Sequence, residues 1–132
     1  MREIKLKKAI EVIGGRYFGE KGLSGRSLSG VSVDSRKIKE NELFFALEGK
    51  NFNGKTFAPD AVFKSKLPAV VPEKIKCGEF IVVDNPLNSL GDLASYYKKQ
   101  SDVFAIAITG SYGKTTTKDF LGSIFSLSLI HI

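Results

Sequence analysis

Apolar and polar positions along this chain switch period several times, and each switch predicts an element. Leu6, Ala9, Ile10 and Ile13 fall at helical spacing, and Gly14-Gly15 stops the pattern, so a short core-packing helix opens the chain. Tyr17 and Phe18 read as a short strand, followed by a loop rich in Gly and Ser up to Ser29. Gly30 to Val33 reads as a strand entering Asp34-Ser35-Arg36, and Leu43 to Leu47 as a second, wholly apolar strand. Gly49 to Gly54 is a loop by composition. Ala58, Ala61 and Val62 predict a helix over 57–66, and 69–71 and 80–83 are two further short strands. Asp84-Asn85-Pro86 is a helix start, a capping side chain followed by Pro in the first turn. Leu87, Leu90, Leu93, Ala94 and Tyr97 carry that helix to about Gln100. Val103 to Ile108 is a continuous apolar run, the pattern of a central parallel strand buried on both faces. Phe120, Ile124 and Leu127 then recur at i, i+4 and i+7, widened by Leu121 and Phe125, around a single interior Gly122. From Leu127 apolar and polar residues alternate at first, a strand period, and 127–132 is expected to be foreign to the gene.

Alternating strands and helices predict an α/β fold. The expected organisation is a small α/β domain over 1–84, a connecting helix over 85–102, and the first strand, glycine turn and helix of a truncated nucleotide-binding domain over 103–126. No internal repeat or low-complexity segment interrupts this.

Between the last predicted strand and helix stands Gly110-Ser111-Tyr112-Gly113-Lys114-Thr115. Gly110 and Gly113 let backbone N–H groups point at a polyphosphate with no Cβ in the way. The helix beyond them offers free donors and partial positive charge. Lys114 would reach the β- and γ-phosphates, and the Thr115 hydroxyl would coordinate Mg²⁺. The first glycine of the general P-loop spacing would fall on Ile108, so the pattern is the shorter T-G-x-x-G-K-T form. The competing reading is a glycine turn with a solvated lysine, which leaves the strand, the spacing and the threonine run unexplained.

A second signal is weaker. Asp34-Ser35-Arg36 ends one strand and Gly49 to Gly54 follows the next, two polar loops separated by one apolar strand, so both could face one crevice. Arg36 suits phosphate or carboxylate, Ser35 and Asn51 offer hydrogen bonds, and Phe52 offers a stacking face. Equally, Asp34 and Ser35 serve as turn caps, Arg36 as a surface ion pair, and Phe52 as core.

Composition narrows the classes. The chain has 132 residues, 42% hydrophobic, with a net charge of +6. Its basic residues are scattered (Lys5, Lys7, Lys8, Lys37, Lys39, Lys50, Lys55, Lys98, Lys99), a surface that favours phosphorylated ligands without demanding nucleic acid. Cys77 is the one cysteine, so no disulfide framework is expected and a reduced cytoplasm is the natural compartment. The single histidine, His131, has no evident partner. The first residues lack the apolar core of a secretory signal, and no apolar run approaches the roughly 20 residues of a membrane span.

Four stretches in this order resemble the Mur ligase family, the ATP-dependent enzymes of peptidoglycan synthesis. They are Gly30 to Arg36, Glu42 to Gly49 with Phe52-Asn53-Gly54, Leu90-Gly91-Asp92-Leu93-Ala94, and Ile108 to Lys118, a resemblance spanning about 1–126. Thr-Gly-Ser before Lys114, and Lys118 after the threonines, are most similar to the member that adds D-alanyl-D-alanine to UDP-N-acetylmuramoyl-tripeptide. The resemblance implies a three-domain cytoplasmic enzyme, a monomer at full length, with no nucleic-acid or membrane partner. It implies ATP and Mg²⁺ as cofactors, transfer of the γ-phosphate to the substrate carboxylate, and attack on the acyl phosphate by the dipeptide amine. It assigns Val33, Ser35, Lys50, Asn51 and Phe52 to the UDP-sugar, and Arg36 is expected to join them by its chemistry. It assigns Gly110, Ser111, Tyr112, Gly113, Lys114, Thr115 and Thr116 to ATP, with Lys114 catalytic and Thr115 on the metal. Two positions depart from the family pattern: Tyr112, where Asn or a small residue is usual, and Asn53, where Asp is common. The rest of the ATPase sheet, its metal-site residues and the C-terminal domain are missing, so the resemblance implies an N-terminal part that does not ligate alone. The segment from Val103 onward is expected to be poorly ordered or prone to association. The alternatives are a non-catalytic UDP-sugar-binding module, another Mur ligase, or a related amide ligase such as a folylpolyglutamate synthase, against which Asp34-Ser35-Arg36 argues.

Overall fold

The computed structural model describes residues 3–76, 78–102 and 104–130. Cys77, Val103 and His131, named above, lie outside the described residues. The chain divides into two compact units, Met1–Ser101 and Asp102–Ile132.

The first unit is built on a five-stranded sheet. In chain order it comprises β1 (Ile4–Lys5), α1 (Leu6–Val12), β2 (Arg16–Phe18), β3 (Ser27–Leu28), β4 (Gly30–Ser32), β5 (Glu42–Phe45), β6 (Glu48–Gly49) and β7 (Phe52–Asn53). A 3-10 turn (Gly54–Phe57), α2 (Ala58–Ser65), β8 (Ala69–Val71), β9 (Phe80–Val82) and α3 (Pro86–Gln100) follow. The strand order is β2-β9-β8-β5-β4, with β1-β3 and β6-β7 as separate pairs. Strands β9, β8, β5 and β4 run parallel, with Val31 beside Leu43 and Phe44 beside Ala69, while β2 closes one edge antiparallel to β9.

Alternation along these strands feeds two cores. Leu43, Phe45, Val70 and Ile81 point to one face and pack with Leu6, Ala9 and Ile10 of α1 and Leu93 of α3. Phe44, Ala46, Ala69, Val71 and Phe80 point to the other face and pack with Ala58 and Ala61 of α2. The result is helices on both faces of a mainly parallel sheet, which explains why β5 and β8 read as unbroken apolar runs. Each large side chain fully buried this way contributes about 1.5–3 kcal/mol.

The helix ends follow local chemistry. The Asn85 side-chain oxygen accepts from the Leu87 and Asn88 N–H groups at 2.9 and 3.1 Å, and Pro86 occupies the first turn where its missing N–H costs nothing. At α1 the Leu6 N–H finds the Arg26 carbonyl at 2.9 Å. Arg26 also ties the edge strands together, donating to Glu79 at 2.6 Å and to the Lys66 carbonyl at 3.0 Å, while the Tyr17 hydroxyl donates to Glu79 at 3.1 Å. Burial alone would push the Glu79 carboxyl up, but Arg26 and Tyr17 outweigh it and hold it below the usual range.

The α/β class and the helix and strand positions through Gln100 match expectation closely, with two departures. Residues 49–54 are not a plain loop: β6 and β7 form a hairpin turned by Lys50 and Asn51, with Glu48 opposite Asn53. The pairs β1 and β3 were not expected. Beyond Gln100, the strand expected from Val103 to Ile108 is absent over its described residues, 104–108, because a strand exists only by its ladder and 104–110 have no partner strand among the described residues.

The second unit contains α4 (Lys114–Ile130). The strand period at Leu127 is overridden, for the helix continues through it to Ile130. Within it the Ser123 and Ser126 hydroxyls donate to the Asp119 and Gly122 carbonyls one turn back, at 3.0 and 2.8 Å. The apolar side chains of this unit are largely exposed, Phe104 at 87% and Phe120 at 71%.

Candidate functional site

The C-terminal ends of β4 and β5 lie side by side because the strands are adjacent and parallel. From β4 the chain enters Asp34-Ser35-Arg36, and from β5 it enters the β6–β7 hairpin. Between them lies a cavity of about 480 Å³ lined by Val33, Asp34, Ser35, Arg36, Phe52 and Phe57. The crevice outside the carboxyl ends of parallel strands is where open α/β sheets bind ligands.

The turn on one wall is closed by its own side chains. The Ser32 hydroxyl accepts from the Asp34 N–H and donates to the Asp34 carbonyl. One Asp34 carboxylate oxygen accepts from the Arg36 backbone N–H and from Nε, both at 3.0 Å, and the other accepts from Nη2 at 2.9 Å. This fork holds the Asp34 carboxyl at about 2, well below the usual carboxylate range, chiefly through the Arg36 side-chain hydrogen bonds. The same bonds push the Arg36 guanidinium up. The Arg36 side chain is 85% exposed, so it lies in solvent rather than packed against protein.

On the other wall Phe52 and Phe57 stack nearly parallel, 5.2 Å between ring centroids, and both stay substantially exposed. The 3-10 turn brings Phe57 back over Phe52. Its start is fixed by the Asn53 side chain, which accepts from the Lys55 N–H, and by Gly54, whose N–H donates to the Leu47 carbonyl at 3.0 Å. A Cβ at position 54 would sit 2.6 Å from that carbonyl oxygen, so only glycine fits. Lys55 spans from the hairpin to Glu73, whose carboxylate raises the lysine ammonium and is itself lowered.

Of the residues expected around a UDP-sugar, Val33, Ser35, Arg36 and Phe52 line one cavity. Lys50 and Asn51 stand exposed at the hairpin tip and do not line it. Phe57 was missed, although the Asn53-Gly54 pair signals the tight return that places it.

The second unit presents the glycine turn. Gly110 and Gly113 take φ of +149° and +75°, a region that excludes most side chains. The Gly113 carbonyl accepts from the Thr117 N–H at 2.9 Å, and α4 begins at Lys114. The Lys114 ammonium folds back to the Gly110 carbonyl at 2.7 Å, so the lysine spans the mouth of the turn. Tyr112 is 96% exposed. Free amides at a helix start, a lysine over the loop and the Thr115 hydroxyl in the first turn are a donor set suited to phosphate, with one oxygen for a hydrated cation. Among the described residues no group of three or more His, Cys, Asp or Glu is placed to hold a metal ion, and no helix is long and apolar enough to cross a membrane.

A sequence model described as "Mur ligase family, catalytic domain" matches residues 27–98. The chain belongs to the Mur ligase family. The four motif stretches therefore pointed to the right family. This Mur ligase chain is similar to the UDP-N-acetylmuramoyl-tripeptide–D-alanyl-D-alanine ligase of Bacillus subtilis (strain 168), 36% identical over 102 residues, covering 74% of this chain and 22% of that protein. Among solved structures it is similar to MurF from Acinetobacter baumannii, with a TM-score of 0.84 and 29% identity over 96% of this chain and 28% of that one. It is also similar to MurF ligase from Thermotoga maritima in complex with ADP, with a TM-score of 0.59 and 27% identity over 67% of this chain and 21% of that one. The Mur ligase chain thus spans about a quarter of the length of the relatives it matches.

Proposed function

We propose that this chain is the N-terminal part of an ATP-dependent ligase that joins D-alanyl-D-alanine to UDP-N-acetylmuramoyl-tripeptide. The carrying observation is the cavity at the ends of β4 and β5, where an exposed guanidinium and a pair of stacked phenyl rings converge. A diphosphate suits the first and a planar base or apolar sugar face the second. Val33, Ser35, Arg36 and Phe52 are assigned to this ligand, with Lys50 and Asn51 closing from the hairpin tip. The names of the relatives support the substrate pair.

In the second unit, Gly110 to Thr116 are assigned to ATP, in line with the ADP held by the Thermotoga relative. Lys114 exchanges the Gly110 carbonyl for phosphate oxygens and balances charge as the γ-phosphate passes to the substrate carboxylate. ADP leaves, the dipeptide amine attacks the acyl phosphate, and an amide and inorganic phosphate result. Thr115 would hold Mg²⁺, which neutralises charge between the phosphates.

Calorimetry with UDP-N-acetylmuramoyl-tripeptide tests the first half. The 132-residue chain is expected to bind it, and Arg36→Ala to weaken binding about tenfold or more. Failure of the wild-type chain to bind any uridine diphosphate sugar would overturn the assignment. The chain by itself is expected to show no ATP turnover dependent on D-alanyl-D-alanine. Because the first unit has its own two-sided core, binding without ligation is the expected behaviour of this length of chain.

A further inference from the structure

We propose that Lys64 is a positioning residue for ligand binding, holding the Asp34-Ser35-Arg36 turn in register with the cavity. The proposal rests on reading that cavity as the site of a uridine diphosphate sugar.

The bonds that shape this turn are almost all internal to it, linking Ser32 to Asp34 and Asp34 to Arg36. They fix its form and tie it to the end of its own strand, since Ser32 closes β4, but they reach no other element. The Lys64 ammonium supplies a bond from outside, donating to the Ser35 carbonyl at 3.0 Å across 29 positions of sequence. An ammonium on a carbonyl is a charge-assisted bond, stronger than a neutral one. Ser35 is 6% exposed, so the carbonyl is gripped where the turn enters the fold.

The mount behind Lys64 is rigid. Ala58 and Ala61 of α2 are fully buried against the sheet. At the far end of α2 the Ser65 carbonyl accepts from the Asn41 N–H at 2.8 Å, and the Asn41 carbonyl in turn accepts from the Ser29 N–H at 2.8 Å. Helix α2 is thereby tied to the segments that enter β4 and β5. Asp60, one turn before Lys64, holds the ammonium from the other side at 2.8 Å. With Asp60 already balancing its charge, Lys64 acts on a ligand through Ser35 and Arg36 and not as a direct anion contact.

The test uses the 132-residue chain and uridine 5′-diphosphate as probe, with calorimetry for affinity, amide spectra of residues 34–37 for geometry, and thermal melts for stability. Lys64→Met is expected to weaken binding about tenfold and to move the amide resonances of Ser35 and Arg36, with a small change in melting temperature. Lys64→Arg, which keeps a donor and the charge, is expected to recover most of the affinity. Lys66→Met removes an equal charge two residues away from a surface pair with Glu40 and is expected to leave affinity unchanged. Wild-type affinity in Lys64→Met, unmoved resonances at 34–37, or an equal loss in Lys66→Met would each overturn the proposal. If wild-type protein fails to bind the probe, the UDP-sugar reading itself falls and the proposal with it, an outcome recognised before any variant is made.

Discussion

The two units of this chain treat the same kind of apolar residue in opposite ways. In the first, Phe44 and Phe45 lie back to back on β5 and each disappears into a different core. In the second, Phe104 and Phe120 stand in solvent, although their sequence pattern is no less regular. The difference is one of partners. A strand facing helices on both sides can bury every residue it carries, whereas a glycine turn followed by one helix has nothing of its own to bury against. Phosphate chemistry needs only backbone amides and a lysine at a helix start, so the second unit can present its candidate site without having a core. The first unit's candidate site depends on packed layers, because its walls come from a strand end, a hairpin and the 3-10 turn that the cores hold in place.

This contrast can be broken most directly by truncating equivalent side chains. Phe45→Ala is expected to cost about 3–5 kcal/mol in urea denaturation followed by circular dichroism, and Phe120→Ala less than about 0.5 kcal/mol. Comparable losses from the two would mean that the second unit has a packed interior after all. Ion pairs sharpen the same point. Glu79→Gln, which leaves Arg26 partly buried without its charge partner, is expected to cost about 1–3 kcal/mol, while Asp119→Asn, at an exposed pair with Lys118, changes stability by well under 1 kcal/mol. Asn85→Ala removes the cap of α3, with an expected loss of about 1 kcal/mol by the same measurement.

The smallest effect concerns pH. The Asp34 carboxyl lies near 2 when folded, lowered from 3.8, so its contribution to stability is present above the unfolded value and is lost as pH falls from about 4 through 2. Carboxyl carbon shifts should titrate there, and Arg36→Ala should return the midpoint toward the usual range. An unchanged midpoint would mean that Arg36 is not the cause.

Much of the first unit was legible because its elements are long or strongly punctuated. The helix α3 could be read from Asn85, Pro86 and the stripe from Leu87 to Tyr97, and the parallel strands from unbroken apolar runs. The pairs β1–β3 and β6–β7 escaped because two residues are too few to display any period. The apolar run from Val103 misled for a different reason, since a pattern records what side chains require and not whether a partner strand is present. At the candidate site, Ser35, Arg36 and Phe52, which line one cavity, could be singled out by residue type. Lys64 did not: four residues after Asp60 on a helix it reads as an ordinary i,i+4 pair, and its bond to Ser35 arises only from the packing of α2.

The Asp34–Arg36 fork also bears on how a ligand arrives. A guanidinium already bridged by a carboxylate acts on a distant diphosphate as a dipole, not as a full positive charge, and its field fades faster with distance. Attraction by this pair then begins only at close range, inside the roughly 10 Å over which ordinary salt screens charge. Arg36 would therefore serve retention of a docked anion more than its capture, and any dependence of the association rate on ionic strength would come from the scattered lysines of a chain whose net charge is +6.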